Sequence, residues 1–301
     1  MPDEPPPGVF RTPDERFRDL PGYPFAPHYV EVGGVRMHYV DGGVGDPVLM
    51  LHGEPTWSYL YRKMIPPIAA AHRAVAPDYV GFGRSDKWLD DERYTFASHF
   101  ANLEAFVEAL DLRRITLVMQ DWGGPLGLRL ATQHPDRVAR LLILNTGLFS
   151  GRGGAASKGL HDWINNSAAI LERLSPGELL RRSMRSVQMG DDEVRAYDAP
   201  FPNRESLAGV RRFPRMIALQ PGDPGAREMA EAHEALRSWK KPALVMFSDS
   251  DPIFTLEQAR RFVDLIPVAR GPVVIQGPGH FLQEEAGPEL ARHILEFMAS
   301  T

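Results

Sequence analysis

The sequence predicts an α/β fold: a mostly parallel eight-stranded sheet with helices on both faces and an inserted helical cap. Three observations carry this. Short apolar runs alternate with segments of helical period along most of the 301-residue chain. The runs are continuously apolar rather than alternating, which is the pattern of strands buried on both faces. After Asn145 the alternation stops, and the segment 147–237 is helix-prone, rich in Arg, Pro and Gly, with no strand signal.

The elements follow in order. His28–Val32 and Val35–Val40 flank Gly33-Gly34 and read as a hairpin. Pro47–Leu51 is a buried strand, followed by a helix over 58–68. Ala74–Ala76 is a third short run, leading into Pro77-Asp78. Thr95–Leu110 places Phe96, Phe100, Leu103, Phe106, Val107 and Leu110 at helical spacing. Ile115–Met119 and Arg140–Leu144 are further strands. After the insertion, Pro242–Phe247 resumes the sheet, Leu256–Ile266 is helical, Pro272–Ile275 is the last strand and Glu284–Met298 the closing helix. The expected organisation is a core of residues 1–146 and 238–301, with 147–237 as a cap over the carboxyl ends of the strands, where ligands of open α/β sheets bind.

Composition narrows the function. The chain contains no cysteine, which excludes disulfides, thiolate metal sites and thiol catalysis. A net charge of -5 gives no basic footprint for nucleic acid. No run approaches the ~18 apolar residues of a membrane span. The acidic, Pro-rich start has neither the basic nor the apolar region of a signal peptide. These features suggest a soluble, cytoplasmic protein. The expectation for its assembly is a monomer or small homo-oligomer, and no metal or cofactor is expected.

The chemistry centres on Ile115–Gly124, ITLVMQDWGG. A buried strand, a sharp turn and a helix in immediate succession form the setting of a nucleophile elbow, written Gly-x-Ser-x-Gly in α/β hydrolases. Here Asp121 takes the place of the serine. The competing reading is a helix N-cap, which Asp also favours. A nucleophile needs a base, and the base an orienting acid. His280 lies after the last strand beside Gly279, where the histidine of such a fold falls in chain order. Asp249 and Asp251 are candidate acids, and Asp251 is preferred because Pro252-Ile253-Phe254 can turn it inward. Asn145 holds another possible station but carries no charge. Glu54 and Trp122 occupy the two backbone N–H positions of an oxyanion hole.

Taken together, His52-Gly-Glu-Pro-Thr-Trp57, Gly81-Phe-Gly-Arg-Ser-Asp86, Gln120-Asp-Trp-Gly-Gly124, Tyr197-Asp-Ala-Pro-Phe-Pro202 and Gly279-His-Phe281 resemble the haloalkane dehalogenases of the α/β-hydrolase fold. The resemblance runs from Arg11-Thr-Pro-Asp14 to the C-terminal helix. Glu54 resembles the branch that holds halide with two tryptophans. The resemblance implies hydrolysis of a small halogenated aliphatic substrate by water, giving alcohol and halide ion. Asp121 would attack carbon, His280 would activate water against the resulting ester, and Asp251 would orient His280. An unperturbed imidazole, with a pKa near 6.5, would be mostly neutral at pH 7. Trp122 and Trp163, the one Trp between Asn145 and Ser238, would hold halide through their indole N–H groups. Glu54 would also position water. Pro125, Phe213, Pro214, Ile253, Phe254 and Phe281 would line the pocket, with Pro125 standing where the family often has an aromatic. Trp57, Trp88 and Trp239 read as structural. An epoxide hydrolase, similar in fold, is the alternative, but it uses two cap tyrosines and this segment has only Tyr197. A slow-turnover ligand-binding member of the fold is the other.

Overall fold

The computed structural model describes residues 4–151 and 157–301. Its main sheet has eight strands: β1 (His28–Val32), β2 (Val35–Gly42), β3 (Pro47–Leu51), β4 (Arg73–Pro77), β5 (Ile115–Met119), β6 (Val138–Leu144), β7 (Ala243–Ser248) and β8 (Ala269–Ile275). The spatial order is β1-β2-β4-β3-β5-β6-β7-β8. β1 and β2 pair antiparallel, as do β2 and β4, and every later pair is parallel. The mostly parallel sheet read from the sequence is therefore the one observed.

The apolar runs explain why the central strands hold. Every residue of β3 and β5 is buried. Leu117 and Met119 join one core layer and Val118 the other, so alternate side chains of one strand fill both faces. Each such side chain contributes about 1.5–3 kcal/mol of burial energy. β8 lies at the sheet edge, and Pro272 falls where its register with β7 shifts between Arg270 and Val273. Proline donates no ladder hydrogen bond, so an irregular edge position suits it.

Two local features depart from the sequence reading. The helix expected over 58–68 is instead a 3-10 turn, Ser58–Tyr61, and a short helix, Ile65–Ala69. Pro66 and Pro67 lack N–H groups and fit only a first helical turn, so the helix restarts beside them. A two-stranded ribbon, Val9–Phe10 with Lys87–Trp88, was not legible at two residues a side.

Between β6 and β7 the described residues form helices and no strand. The longest are Lys158–Leu171, Pro176–Ser183, Asp191–Asp198 and Ala226–Leu236. Residues 152–156 of this segment lie outside the described residues. The closing helix, Leu282–Ala299, is broken at Ala286 (φ -131°, ψ 26°), two residues before Pro288. No helix among the described residues is long and apolar enough to cross a membrane.

Candidate active site

The turn after β5 sets the geometry. Asp121 adopts φ 50°, a left-handed conformation rare for a residue with a side chain. The strain persists because its surroundings fix it. The Asp121 N–H donates to Asn145 O at 2.9 Å, and its carbonyl accepts from Thr146 Oγ1 at 2.6 Å and Gly124 N–H at 3.0 Å. Helix Gly123–Gln133 can start directly beneath because Gly123 and Gly124 lie hard against Leu51 O and Thr146, with no room for a Cβ. Asp121 does not cap this helix, which has no side-chain cap. Its carboxylate turns the other way and accepts the backbone N–H of Glu54 on Oδ1 at 2.8 Å. Gly53 is in such close contact with that carboxylate that a side chain there would collide with it.

His280 follows β8. Its Nδ1 meets Asp251 Oδ2 at 2.9 Å, and its Nε2 lies 3.6 Å from Asp121 Oδ2. Asp251 is itself fixed by the Ile253 N–H, which donates to Oδ1 at 2.7 Å. Asp249 is exposed and accepts instead from Gly277 N–H at 2.9 Å and Ser250 Oγ at 2.9 Å. Asn145 is a brace rather than an acid. Its side chain accepts from Ser248 N–H at 2.9 Å and donates toward Ser248 Oγ, Gly279 O and His280 O at 2.8–3.3 Å. Gln120 had no assigned role in the sequence reading. Its Nε2 is 3.1 Å from His280 Nε2 and 3.3 Å from His280 O.

Electrostatics correct one expectation. Burial alone would lower the His280 pKa, but Asp251 and Asp121 outweigh it and push it up to about 10. The resting site thus holds an imidazolium between two carboxylates, not the neutral ring inferred from an unperturbed pKa. Glu54 moves the other way. Burial, with the charge of Asp121 beside it, pushes its carboxyl well above the usual carboxylate range. Its Oε1 is buried without a protein partner. A carboxyl oxygen so placed can hydrogen-bond a water.

A cavity of about 140 Å³ opens over Asp121. Glu54, Trp122, Trp163, Ile253, Phe254, His280 and Phe281 line it. Its remaining walls include Phe149, Leu160, Leu179 and Ile217, which sequence patterning could not separate from ordinary core, and Arg182, Ser183 and Arg185. Pro125, Phe213 and Pro214 are not among the lining residues. Phe213 is fully buried behind the wall, where its ring stands edge-on to Trp122 at 5.3 Å, His99 at 4.6 Å and Phe82 at 4.7 Å. Pro214 is buried in the same turn, and Pro125 is buried in the first turn of helix Gly123–Gln133. Trp57, Trp88 and Trp239 are buried away from the cavity. Tyr197 is fully buried and donates to Glu284 Oε2 at 2.7 Å, so it does not reach the cavity.

Known proteins are similar to this chain over nearly its whole length. The α/β-hydrolase fold family matches residues 46–287. Haloalkane dehalogenase 1 of Mycobacterium tuberculosis is 46% identical over 304 residues, covering 97% of this chain and 99% of that protein. The haloalkane dehalogenase of Mycobacterium marinum is 43% identical over 299 residues, covering 96% and 99%. Among solved structures, the tetrameric haloalkane dehalogenase DpaA from Paraglaciecola agarilytica superposes with a TM-score of 0.89 at 37% identity, covering 96% of this chain and 98% of that one. An aspartate on a strained elbow, facing a histidine–aspartate pair in an apolar cavity, is thus set in a chain that belongs to the haloalkane dehalogenases of the α/β-hydrolase fold.

Proposed function

We propose that Asp121 is the covalent nucleophile of a hydrolase that cleaves carbon–halogen bonds through an alkyl-enzyme ester. The observation that carries this is the division of its carboxylate. Oδ1 is held by the Glu54 N–H, while Oδ2 faces His280 within the cavity. Displacement of halide from a saturated carbon needs an anionic oxygen at neutral pH, and a carboxylate supplies one without a base. Oδ2 forms the new C–O bond as the C–X bond breaks, and the halide leaves with the bonding pair. Trp122 and Trp163 solvate it through donor-only indole N–H groups, suited to a weakly hydrated anion in an apolar pocket.

Esterification neutralises Asp121. One of the two charges that raise the His280 pKa is then gone, so the ring loses its extra proton more readily when a base is needed. His280 then takes a proton from water, and the water oxygen attacks the ester carbonyl carbon. Charge developing on Oδ1 is met by the Glu54 N–H. Asp251 orients and stabilises the imidazolium, and Glu54 positions the water. Collapse breaks the bond from the carbonyl carbon to the alkyl oxygen, the imidazolium returns its proton to that oxygen, and the alcohol leaves with the carboxylate restored. The segment 147–237 acts as a lid, since Trp163 and Leu179 come from it to line the cavity. A cavity of this size suits substrates on the order of six heavy atoms.

The test is halide release from short bromoalkanes, with epoxides as control. Wild type should release bromide, and Asp121→Ala should fall to background while remaining folded by circular dichroism. Wild-type activity in Asp121→Ala sinks the reading. Epoxide opening without halide release would favour the alternative hydrolase.

A further inference from the structure

Two consecutive carboxylates on the first turn of the closing helix each tie the inserted segment to the core. Glu284 is buried, with Arg62 on both oxygens at 2.5 Å, Lys63 at 2.8 Å and the Tyr197 hydroxyl at 2.7 Å. Glu285 does something different. Its Oε1 accepts the Gly279 N–H at 2.7 Å. Its Oε2 accepts the N–H groups of Arg185 and Ser186 and the Ser186 hydroxyl, the first and last at 2.8 Å. One carboxylate thus spans from the residue before His280 to the segment 183–186, whose Ser183 and Arg185 line the cavity.

The two pieces are also in direct contact. A Cβ on Gly279 would stand 2.8 Å from Ser183 O and 2.9 Å from Arg185 Cγ, so only glycine fits under that segment. From the core side, the Gly279 carbonyl accepts from Ser248 Oγ at 2.9 Å and Asn145 Nδ2 at 3.2 Å. Gly279 is therefore held from the sheet through its C=O and from the inserted segment through its N–H, with Glu285 as the link.

We infer that Glu285 is a positioning residue that couples the seating of segment 183–186 over the cavity to the placement of His280 above Asp121. This rests on the functional reading above, in which His280 serves ester hydrolysis but not ester formation. Displacing the histidine loop should therefore slow the second step and spare the first. A misplacement near 1 Å can cost up to about 100-fold in rate.

Glu285→Gln is the informative variant. An amide has one acceptor oxygen, so its NH2 must face either the Gly279 N–H or the three donors of 185 and 186, and one link breaks. Rapid-quench measurement should show hydrolysis of the alkyl-enzyme slowed about 10-fold, with halide formation within about twofold of wild type. Deuterium exchange should quicken at the amides of Arg185, Ser186 and Gly279. Ser186→Ala, which deletes one acceptor–donor pair with little change in volume, should act in the same direction with a smaller effect. It carries the test if Glu285→Gln does not fold. Both steps slowed alike, neither slowed, or exchange unchanged at these amides would overturn the inference. If wild type released no halide at all, the functional reading would fail, and the exchange measurement alone would decide whether the clamp exists.

Discussion

Glu54 donates its backbone N–H to Asp121 Oδ1 at 2.8 Å, and this single bond distinguishes the two oxygens of the carboxylate. In the proposed reaction Oδ1 becomes the oxyanion and Oδ2, which faces His280 in the cavity, meets carbon. The alcohol oxygen of the first turnover should therefore come from Asp121, and the oxygen from water should enter the carboxylate. In a single turnover in heavy-oxygen water, the alcohol should carry no label and a peptide containing Asp121 should gain one heavy oxygen. Label in the alcohol with an unlabelled peptide would mean that water attacks the substrate directly.

Trp163 lies on helix Lys158–Leu171 and lines the cavity with Trp122. Bromide should quench indole fluorescence in wild type, and Trp163→Phe should weaken that quench. Loss of a hydrogen bond to an anion, ~1.5–3 kcal/mol, corresponds to carbon–halogen cleavage slowed on the order of 10- to 100-fold. Trp239→Phe, buried away from the cavity, should do neither. Bromide binding and release unchanged in Trp163→Phe would assign the second donor to another group.

The ion pairs of His280 should also register in stability. Its folded pKa of about 10 lies above the ~6.5 of an unfolded imidazole, so the fold favours the protonated form. That contribution is complete below pH ~6.5 and is lost as pH rises to about 10. Lys87 acts oppositely in the same window, because burial lowers it to about 7 and its penalty fades as pH rises. Comparing wild type with His280→Gln removes Lys87 from the difference. The urea midpoint of wild type relative to His280→Gln should decline from pH 6.5 to pH 9.5. A constant or growing difference would contradict a raised His280.

Tyr197 offers a test of how the inserted segment is attached. Its hydroxyl donates to the buried carboxylate of Glu284, which Arg62 and Lys63 hold below the usual carboxylate range against the effect of burial. Tyr197→Phe leaves Glu284 its cationic partners, so the expected loss is about 1–3 kcal/mol, with the pH profile of turnover unchanged. Abolished turnover in a stably folded Tyr197→Phe would instead place this hydroxyl in the chemistry.

What the sequence made legible followed from strong local patterns. Ile115–Met119 read as a buried strand, and Asp121, two residues before Gly123-Gly124, as the residue on a sharp turn into a helix. His280 was marked by Gly279 and by chain order. The choice of Asp251 over Asp249 rested on the apolar residues after it, and the structure places Asp251, not Asp249, against His280. Long-range relationships were not legible. Phe213 and Phe149 are both aromatic residues near helical segments, and nothing local says that one packs behind Trp122 while the other faces the cavity. The charge of His280 depends on Asp121, 159 positions away in the chain, and the role of Glu285 on a backbone segment 100 positions away.

The central claim is that the ester forms on Asp121 and that His280 is needed only to remove it. His280→Phe should release one equivalent of bromide from a short bromoalkane in a burst and then stall. Intact-protein mass spectrometry should find one alkyl group added, and peptide mapping should place it on Asp121. Bromide release by His280→Phe with no alkyl adduct on the protein would contradict the account.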